Sequence, residues 1–543
     1  MKLRNKTVFS IGLVASIAAS GSYLYAGPSN NASNSSTISS QDEKLIQTNI
    51  DSLFPFPTKI SSGKFSKAYN GDFVLNNVYV KSIGKSNPNI FISKMTLHGL
   101  AVDGNASNNF DIKIQGLKLL NAAKAVAHTN VVSARIDPEK LMKRHPLFNN
   151  VLKDVGKSSY DLDISYDNSS EQIHLKLNST NDGAKFITAD MLLKDADMSH
   201  VKFNHDFFAS LSRVIENSKL KSGSFDADLS KVTQHLIDKY LSKENSKSPS
   251  IYVKGDYSDS SNQLELSVKS NLGDKSHLYY TIDVDGTSIS DTSLVDIINQ
   301  KTDLFKNAYV KSNSSDFNLN LVFNRKDFPG NSPAQSVFTS LKQDKVAINI
   351  NSNSDYSNDK YNASFGLSGN NLGSLKYNMN GKSDGDVSVM SYFGGGNTQA
   401  SNLYNCKNNI CINNFSIKLA NQGILQKAAR MTNDDANTSP NQILSSYGAL
   451  LQLLAVQQHD KFMRKMLSSF AMFLQNPKTL TISAKAKRPI NSSVLIKMLA
   501  DDSKQIASNS PIKSNGRVNP DNDYDLKLIN NIQKMFNISF DVK

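Results

Sequence analysis

Apolar and polar residues alternate with a period of two along much of this chain, and this feature most constrains how it can fold. Successive side chains of a β-strand point to opposite faces, so each such segment is predicted to be a strand with one buried and one wet face. Strands of this kind belong to antiparallel sheets, because a buried parallel sheet would show continuous apolar runs. The segments with this pattern are 160–166, 173–177, 264–268, 280–284, 317–323, 361–367, 480–484 and 536–542.

Two of the predicted hairpins resemble each other. Residues 166–175 (YDNSSEQIHL) match residues 257–266 (YSDSSNQLEL), and residues 346–367 are a third, weaker version. Each version is followed by another strand-like segment, at 185–194, 277–285 and 375–380. The similarity predicts one extended or curved sheet built by adding similar hairpin units. Chance similarity in a chain rich in Ser and Asn is the alternative.

Helical patterns separate the strands, so the predicted fold class is α+β. Apolar spacing and Asp or Ser caps predict helices over 137–155, 206–217, 229–241 and 293–305. The longest predicted helix runs from Asn441 to Gln475. Its densest apolar run, Tyr447 to Val456, is too short to span a bilayer. Packing into the core is therefore the default interpretation, and binding to a membrane surface or a partner helix is the alternative.

The N-terminal segment predicts where the protein acts. Lys2, Arg4 and Lys6 precede an uncharged apolar stretch over Val8–Ala26, the pattern of an export segment. We expect residues 1–26 to be a signal or anchor helix in the inner membrane, retained rather than cleaved near Ala26. Residues 27–45 are rich in Ser and Asn and are predicted to be a tether. A β-rich body over 46–420 and a helical segment with C-terminal strands over 421–543 complete the expected organisation.

The charge balance argues against a nucleic-acid partner. The chain has 61 Lys and Arg against 48 Asp and Glu, a net charge of +13, and it has no Trp. A nucleic-acid binder would concentrate basic residues on one face beside stacking aromatic residues, and the sequence shows no such cluster. A basic protein also suits a position beside an anionic membrane surface, which is the interpretation that we favour.

Cys406 and Cys411 are the two cysteines of the chain. A pair this close in an exported protein is predicted to form a local disulfide bond. The spacing is not C-x-x-C and no His is near in sequence, so a redox or metal role is disfavoured. The disulfide also agrees with an extracytoplasmic location, expected to be the bacterial periplasm.

No residue is predicted to be catalytic, to bind a cofactor or to bind a metal. The sequence lacks H-E-x-x-H, G-x-S-x-G, P-loop and G-x-G-x-x-G motifs. His200 and His205 are spaced for neither one helical face nor one strand face. The carboxylate pairs Asp161/Asp163 and Asp283/Asp285 lie on the wet faces of predicted strands, where a solvated surface is the expected role.

The order of these parts resembles that of the YdgA-like family of bacterial envelope proteins of unknown function. The resemblance rests on the uncharged segment Val8–Ala26, on SSGKFS at 61–66 and on SSFAMFLQNPKTLTI at 468–482. It implies a single N-terminal span, a β-rich periplasmic body and a late helix that runs into a strand. The family has no established catalytic residues, so the resemblance assigns none here.

These observations lead to three hypotheses about function. The first is a non-enzymatic envelope protein that binds or scaffolds at the membrane surface, with an envelope protein or a lipid as partner. The second is a lipid-binding or lipid-transport protein that uses the apolar face of a curved sheet. The third is an enzyme whose site carries no familiar motif. Strand alternation alone does not separate the first two, because a helix-covered sheet and a lipid-lined sheet share the same pattern.

Overall fold

The fold is α+β and consists mostly of antiparallel β-sheet with a few helices, as the alternation predicts. The computed structural model describes residues 39–52, 58–68, 70–82, 90–101, 108–119, 157–204, 206–230, 250–271, 276–298, 304–328, 335, 338–339, 341, 343–393, 403–432, 438–495 and 530–543. The export segment, residues 27–38 of the predicted tether, the helix predicted over 137–155 and most of the one over 229–241 lie outside the described residues.

The strands are β1 Thr58–Lys67, β2 Phe73–Ser82, β3 Ile90–His98, β4 Phe110–Leu119, β5 Ser159–Asp167, β6 Gln172–Asn181, β7 Ala184–Lys194, β8 Lys219–Asp228, β9 Ser250–Ser258, β10 Gln263–Asn271, β11 His277–Asp285, β12 Tyr309–Asn324, β13 Lys345–Ser357, β14 Lys360–Gly369, β15 Gly373–Lys382, β16 Val387–Ser388, β17 Cys411–Asn421, β18 Thr479–Asn491 and β19 Phe536–Val542. The helices are α1 Ser40–Ser52, α2 Phe207–Asn217, α3 Leu294–Ile298, α4 Val389–Tyr392, α5 Ile424–Thr432, α6 Pro440–Gln457 and α7 Lys461–Gln475.

The chain divides into two compact units. The first unit consists of Met1–Tyr240, Ser248–Lys269 and Asp285–Ala308, and the second of Leu241–Lys247, Ser270–Val284 and Tyr309–Lys543. The first therefore holds β1 to β9 and helices α1 to α3, and the second holds β12 to β19 and helices α4 to α7.

The first unit is a meander of antiparallel strands with one apolar face buried in a core. Each strand from β1 to β9 pairs with the next along the chain. The apolar face of this sheet is buried against helix α1 through Ile46 and against helix α2 through Phe207, Phe208 and Leu211. The Phe207 ring contacts Phe110 of β4, with 5.8 Å between centroids. Each such buried side chain contributes about 1.5–3 kcal/mol to stability.

The sheet of the second unit is also antiparallel. Strand β12 pairs with β13, β13 with β14, β14 with β15, β15 with β17, β17 with β18, and β18 with β19. The short strand β16 pairs with the start of β12. Helices α5, α6 and α7 are inserted between β17 and β18.

The three similar segments are hairpins in the structure and share backbone details. Glu171, Asn262 and Asp359 occupy the last turn position of the three hairpins, and each has a positive φ of 50–61°. The carbonyl oxygen of each accepts a hydrogen bond from the chain beyond the third strand, donated by the backbone N–H of Ala196, Gly286 and Ser383 respectively. The sequence match at 166–175 and 257–266 thus corresponds to equivalent local structure.

Two helix predictions need correction. The helix predicted over 441–475 is in fact two, α6 and α7, because Asp460 caps a new helix by accepting a hydrogen bond from the Met463 N–H. The helix predicted over 293–305 is shorter: α3 covers Leu294–Ile298, and residues 304 and 305 form a turn. Helix α2, by contrast, confirms the prediction over 206–217. Residues 40–45, assigned to the tether by composition, belong to helix α1.

Candidate functional site

Strand register in the second unit aligns apolar side chains across the whole sheet. One row runs from strand to strand through directly paired residues: Leu319, Ile350, Leu367, Leu375, Leu419, Leu480 and Val542. The next row on the same face is Phe317, Ser352, Phe365, Tyr377, Ile417, Ile482 and Phe540. We call the part of these two rows on β12, β13, β14, β15 and β17 the apolar lane.

The opposite face of the same strands is polar. Its middle row is Asn318, Asn351, Gly366, Lys376, Lys418, Thr481 and Asp541, again joined by direct pairing. Asn349 and Asn318 are hydrogen-bonded across this face, with 2.6 Å between Nδ2 and Oδ1. The sheet is therefore amphipathic, with an Asn-, Ser- and Lys-rich wet face behind the apolar lane.

The apolar lane is not sealed from solvent. Phe365 retains 40% of its surface exposure and Leu367 retains 39%, and the other lane residues are all half-buried. In the first unit, by contrast, the corresponding face is packed into a core that contains fully buried Phe73, Leu75 and Phe110. Large apolar side chains side by side on an exposed surface mark a binding site more often than isolated ones do.

Helices cover the lane's continuation on β18 and β19. Leu480 is fully buried, and the Phe462 ring of α7 lies 5.7 Å from the Phe540 ring of β19. A small apolar cluster of Ala429, Ile443 and Leu444 joins α5 to α6. The helices thus close one side of the apolar face and leave the lane itself accessible.

Tyrosine residues lie beyond one side of the lane, where β13 turns into β14. Tyr356 and Tyr361 are directly paired there, and the Tyr356 hydroxyl lies 3.2 Å from Ser383 Oγ. The Tyr392 hydroxyl donates to Asn313 Oδ1 at 2.8 Å. Burial raises the pKa of Tyr356, Tyr361 and Tyr392. These three phenols therefore stay protonated and neutral at neutral pH.

Helix α6 carries a second exposed apolar surface. Its members are Tyr447, Leu450, Leu453, Leu454 and Val456, and Leu453 and Val456 are 64% and 70% exposed. Packing of the whole segment into the core, the default expectation, is wrong for these residues, because α6 lies against α5 and α7 through Ile443, Leu444 and Gly448 only on its inner side. Within the described residues, no helix has both the length and the apolar character to cross a bilayer.

Cys406 and Cys411 are bonded to each other in the structure. Their disulfide closes the turn that leads into β17, and both residues are buried, Cys411 completely. The backbone amide of Asn409 within this loop donates to the Cys406 carbonyl oxygen. The pair lies at the margin of the sheet, where it fixes the entry to β17, and contributes no side chain to the lane.

The carboxylates on the wet face of β5 are less exposed to solvent than the sequence suggests. Asp161 is only 3% exposed. Strand β4 bulges opposite it, because pairing shifts between Ile114 and Leu117, and the Gly116 N–H donates to the Asp161 carboxylate. Burial raises the pKa of Asp161 to about 7, against the lowering effect of the Gly116 hydrogen bond, and the nearby Asp163 carboxylate raises it further.

The surroundings of this carboxylate are strand residues. In the part of the chain that the structure describes, no three His, Cys, Asp or Glu side chains are grouped closely enough to hold a metal ion. Burial also raises the pKa of Asp163, and the lysines paired with it across the strands, Lys113 and Lys176, lower it. Asp163 is thus part of a charged cross-strand ladder, whereas Asp161 is paired with Asn178.

Comparison with known proteins identifies a match for part of the second unit. Residues 367–513 match a family model whose description is "Uncharacterized protein". The matched segment begins at Leu367 in the lane and extends through β15, the three helices α5 to α7 and β18. Among curated proteins, none matches the chain.

Proposed function

We propose that this chain is a non-enzymatic lipid-binding protein of the bacterial envelope and that the apolar lane holds an acyl chain. The observation that carries the proposal is the open apolar face of β12 to β17, with Phe365 and Leu367 two-fifths exposed at its centre. Of the two binding hypotheses, this geometry favours the lipid-lined sheet over a sheet fully covered by helices.

The dimensions of the lane suit an acyl chain. Its rows cross five strands that are neighbours in the sheet, so the lane is about 19 Å long at a strand spacing of about 4.8 Å. An acyl chain in one leaflet of a bilayer spans about 15 Å, half of the hydrocarbon core. The lane therefore accommodates a chain that lies across the strands.

The side chains of the lane favour the binding of a ligand over catalysis. Its described members include one titratable group, Tyr377, and burial raises the pKa of that phenol. A reacting site needs acids, bases or nucleophiles with pKa values near the working pH. Apolar side chains instead stabilise a bound apolar ligand, by a free energy of about 25 cal/mol for each Å² of apolar surface removed from water.

The proposed location in the envelope rests on separate observations. Lys2, Arg4 and Lys6 before the uncharged segment 8–26 indicate export, with an inner-membrane anchor as the expected outcome. The disulfide between Cys406 and Cys411 suits an oxidising compartment such as the periplasm. The resemblance to YdgA-like envelope proteins agrees with this location and stays a prediction.

Mass spectrometry of the purified full-length protein tests the proposal. We expect phospholipid or fatty acid to co-purify with the wild type and to be lost from the double variant Phe365→Asp and Leu367→Asp, because two carboxylates in the lane oppose an apolar ligand. The matched control is Ser364→Asp and Ser368→Asp, which places two charges on the opposite face of the same strand. A lipid-free wild type, or equal lipid content in both variants, would refute the proposal.

A further inference from the structure

We infer that helix α6 docks on the surface of an anionic phospholipid bilayer through its exposed apolar side chains. The inference rests on the α6–α7 hairpin alone and does not depend on lipid binding in the lane. Its starting point is the row of large, solvent-exposed residues Tyr447, Leu450, Leu453, Leu454 and Val456. Met472 on the neighbouring helix α7 is also more than half exposed. Large apolar side chains grouped on the exposed surface of a helix mark an interaction site.

Charge at the end of the hairpin identifies that partner. Three exposed basic residues, Lys461, Arg464 and Lys465, lie in the first two turns of α7, and Leu453 and Val456 lie within the last five residues of α6. Only residues 458–460 separate the two helices, so topology places the basic and apolar residues at the same end. Arg464 is held there, because its guanidinium donates from Nε and Nη2 to the Gln458 carbonyl oxygen.

The α6–α7 hairpin itself offers little opposing negative charge. Neither helix contains Asp or Glu, and the carboxylate of Asp460 between them is engaged as the cap of α7. Apolar side chains beside lysine and arginine, on helices without acidic residues, are the combination that binds the interface of an anionic membrane. A second copy of this chain would instead bring the same positive charges, with a net +13 on each molecule.

The close approach of α6 to α7 keeps the apolar residues outward. A Cβ added at Gly448 would lie 2.9 Å from the Ala471 carbonyl oxygen, so glycine lets the two helix backbones meet. The inner side of α6 is thereby occupied, and its outer side cannot rotate inward without separating the helices. The exposed surface is thus a fixed feature of the hairpin.

A fluorescent label on α6 tests the inference in the full-length protein. Both native cysteines are in a disulfide, so Val456→Cys supplies a single thiol for the environment-sensitive dye NBD. We expect a blue-shifted emission, and quenching by nitroxide-labelled acyl chains, on phosphatidylcholine vesicles that contain phosphatidylglycerol. Pure phosphatidylcholine should give a much weaker response. The control label is Lys376→Cys, on the polar face of β15, and its emission should not change.

Because the label reports its own surroundings, an anchor formed by residues 1–26 does not mask the result. Each of Lys461→Glu, Arg464→Glu and Lys465→Glu should weaken the response at least fivefold, since one basic residue near such a surface contributes about 1 kcal/mol. The lane variant Phe365→Asp with Leu367→Asp should leave the response intact, which separates this inference from the proposed function. No blue shift on phosphatidylglycerol vesicles would overturn the inference. A shift that appears without lipid as protein concentration rises would also overturn it, in favour of a second copy.

Discussion

Replacing Asp161 by Asn should make the first unit more stable at alkaline pH. The Asp161 carboxyl is almost fully buried, and its pKa is raised from an ordinary 3.8 to about 7. In the folded protein it therefore keeps a proton between pH 4 and pH 7, while the unfolded chain has lost that proton. For a group with this raised pKa, stability is highest below pH 4, falls as the pH rises towards 7 and is constant above it.

The size of the effect follows from the two pKa values. At 1.36 kcal/mol per pKa unit, the interval from 3.8 to about 7 corresponds to about 4 kcal/mol of destabilisation above pH 7. Asn has nearly the same shape, carries no charge and still accepts the hydrogen bond from the Gly116 N–H. We expect the Asp161→Asn variant to gain up to about 4 kcal/mol over the wild type at pH 8 and to match it within about 1 kcal/mol at pH 4.

Hydrogen exchange of peptides from β5 measures this locally, which is necessary because two compact units need not unfold together. The opening free energy of residues 159–167, corrected for the pH dependence of intrinsic exchange, should fall with pH in the wild type and stay flat in Asp161→Asn. Asp167→Asn in the same hairpin is the control with the opposite sign, because hydrogen bonds from Ser170 and Ser169 lower the pKa of the exposed Asp167. Equal stability of Asp161→Asn and wild type at pH 8 would refute this account of the buried carboxylate.

Three further changes test individual contacts. Replacing Cys406 and Cys411 by Ser should cost about 2 kcal/mol, the entropy of so short a loop, seen as faster exchange at the start of β17; unchanged exchange there would contradict it. A Gly→Ala substitution normally stabilises a helix by about 1 kcal/mol. Here we expect Gly448→Ala to destabilise the α6–α7 hairpin, because the new Cβ would meet the Ala471 carbonyl oxygen. Slower hydrogen exchange in α6 would contradict this expectation. Asp460→Ala should cost about 1 kcal/mol by removing the cap of α7, whereas unaltered exchange at residues 461–464 would mean that the cap contributes nothing.

The sequence predicts strands well because their alternation records which face is wet. The alternating run 160–166 is strand β5, with its apolar side chains buried, and the run 361–367 is strand β14. The same alternation does not show whether the apolar face of a strand is covered or open to solvent. Tyr160 and Leu162 are sealed in a core, whereas Phe365 and Leu367 remain open. What separates them is the presence of helices packed above the sheet, which is a tertiary property.

The candidate site needed strand register, which period-two patterns do not specify. Leu319, Leu367 and Leu480 each stand in a recognised strand, but they are far apart in sequence and become one row only through pairing via Ile350, Leu375 and Leu419. The burial of Asp161 is a second property that the strand pattern does not specify. Its place on the wet face follows from the alternation, but its burial depends on a bulge in β4 at Gly116, which a single strand does not predict.

Photo-crosslinking gives the most direct test of the lipid lane. The full-length protein would be incubated with a diazirine-bearing fatty acid, irradiated and mapped by peptide mass spectrometry. Adducts concentrated on β14 and β15, around Phe365, Leu367 and Leu375, and displaced by excess unlabelled fatty acid are the predicted result. Adducts spread evenly over both sheet faces, or none within residues 360–382, would contradict the claim that an open strip of apolar side chains receives the chain.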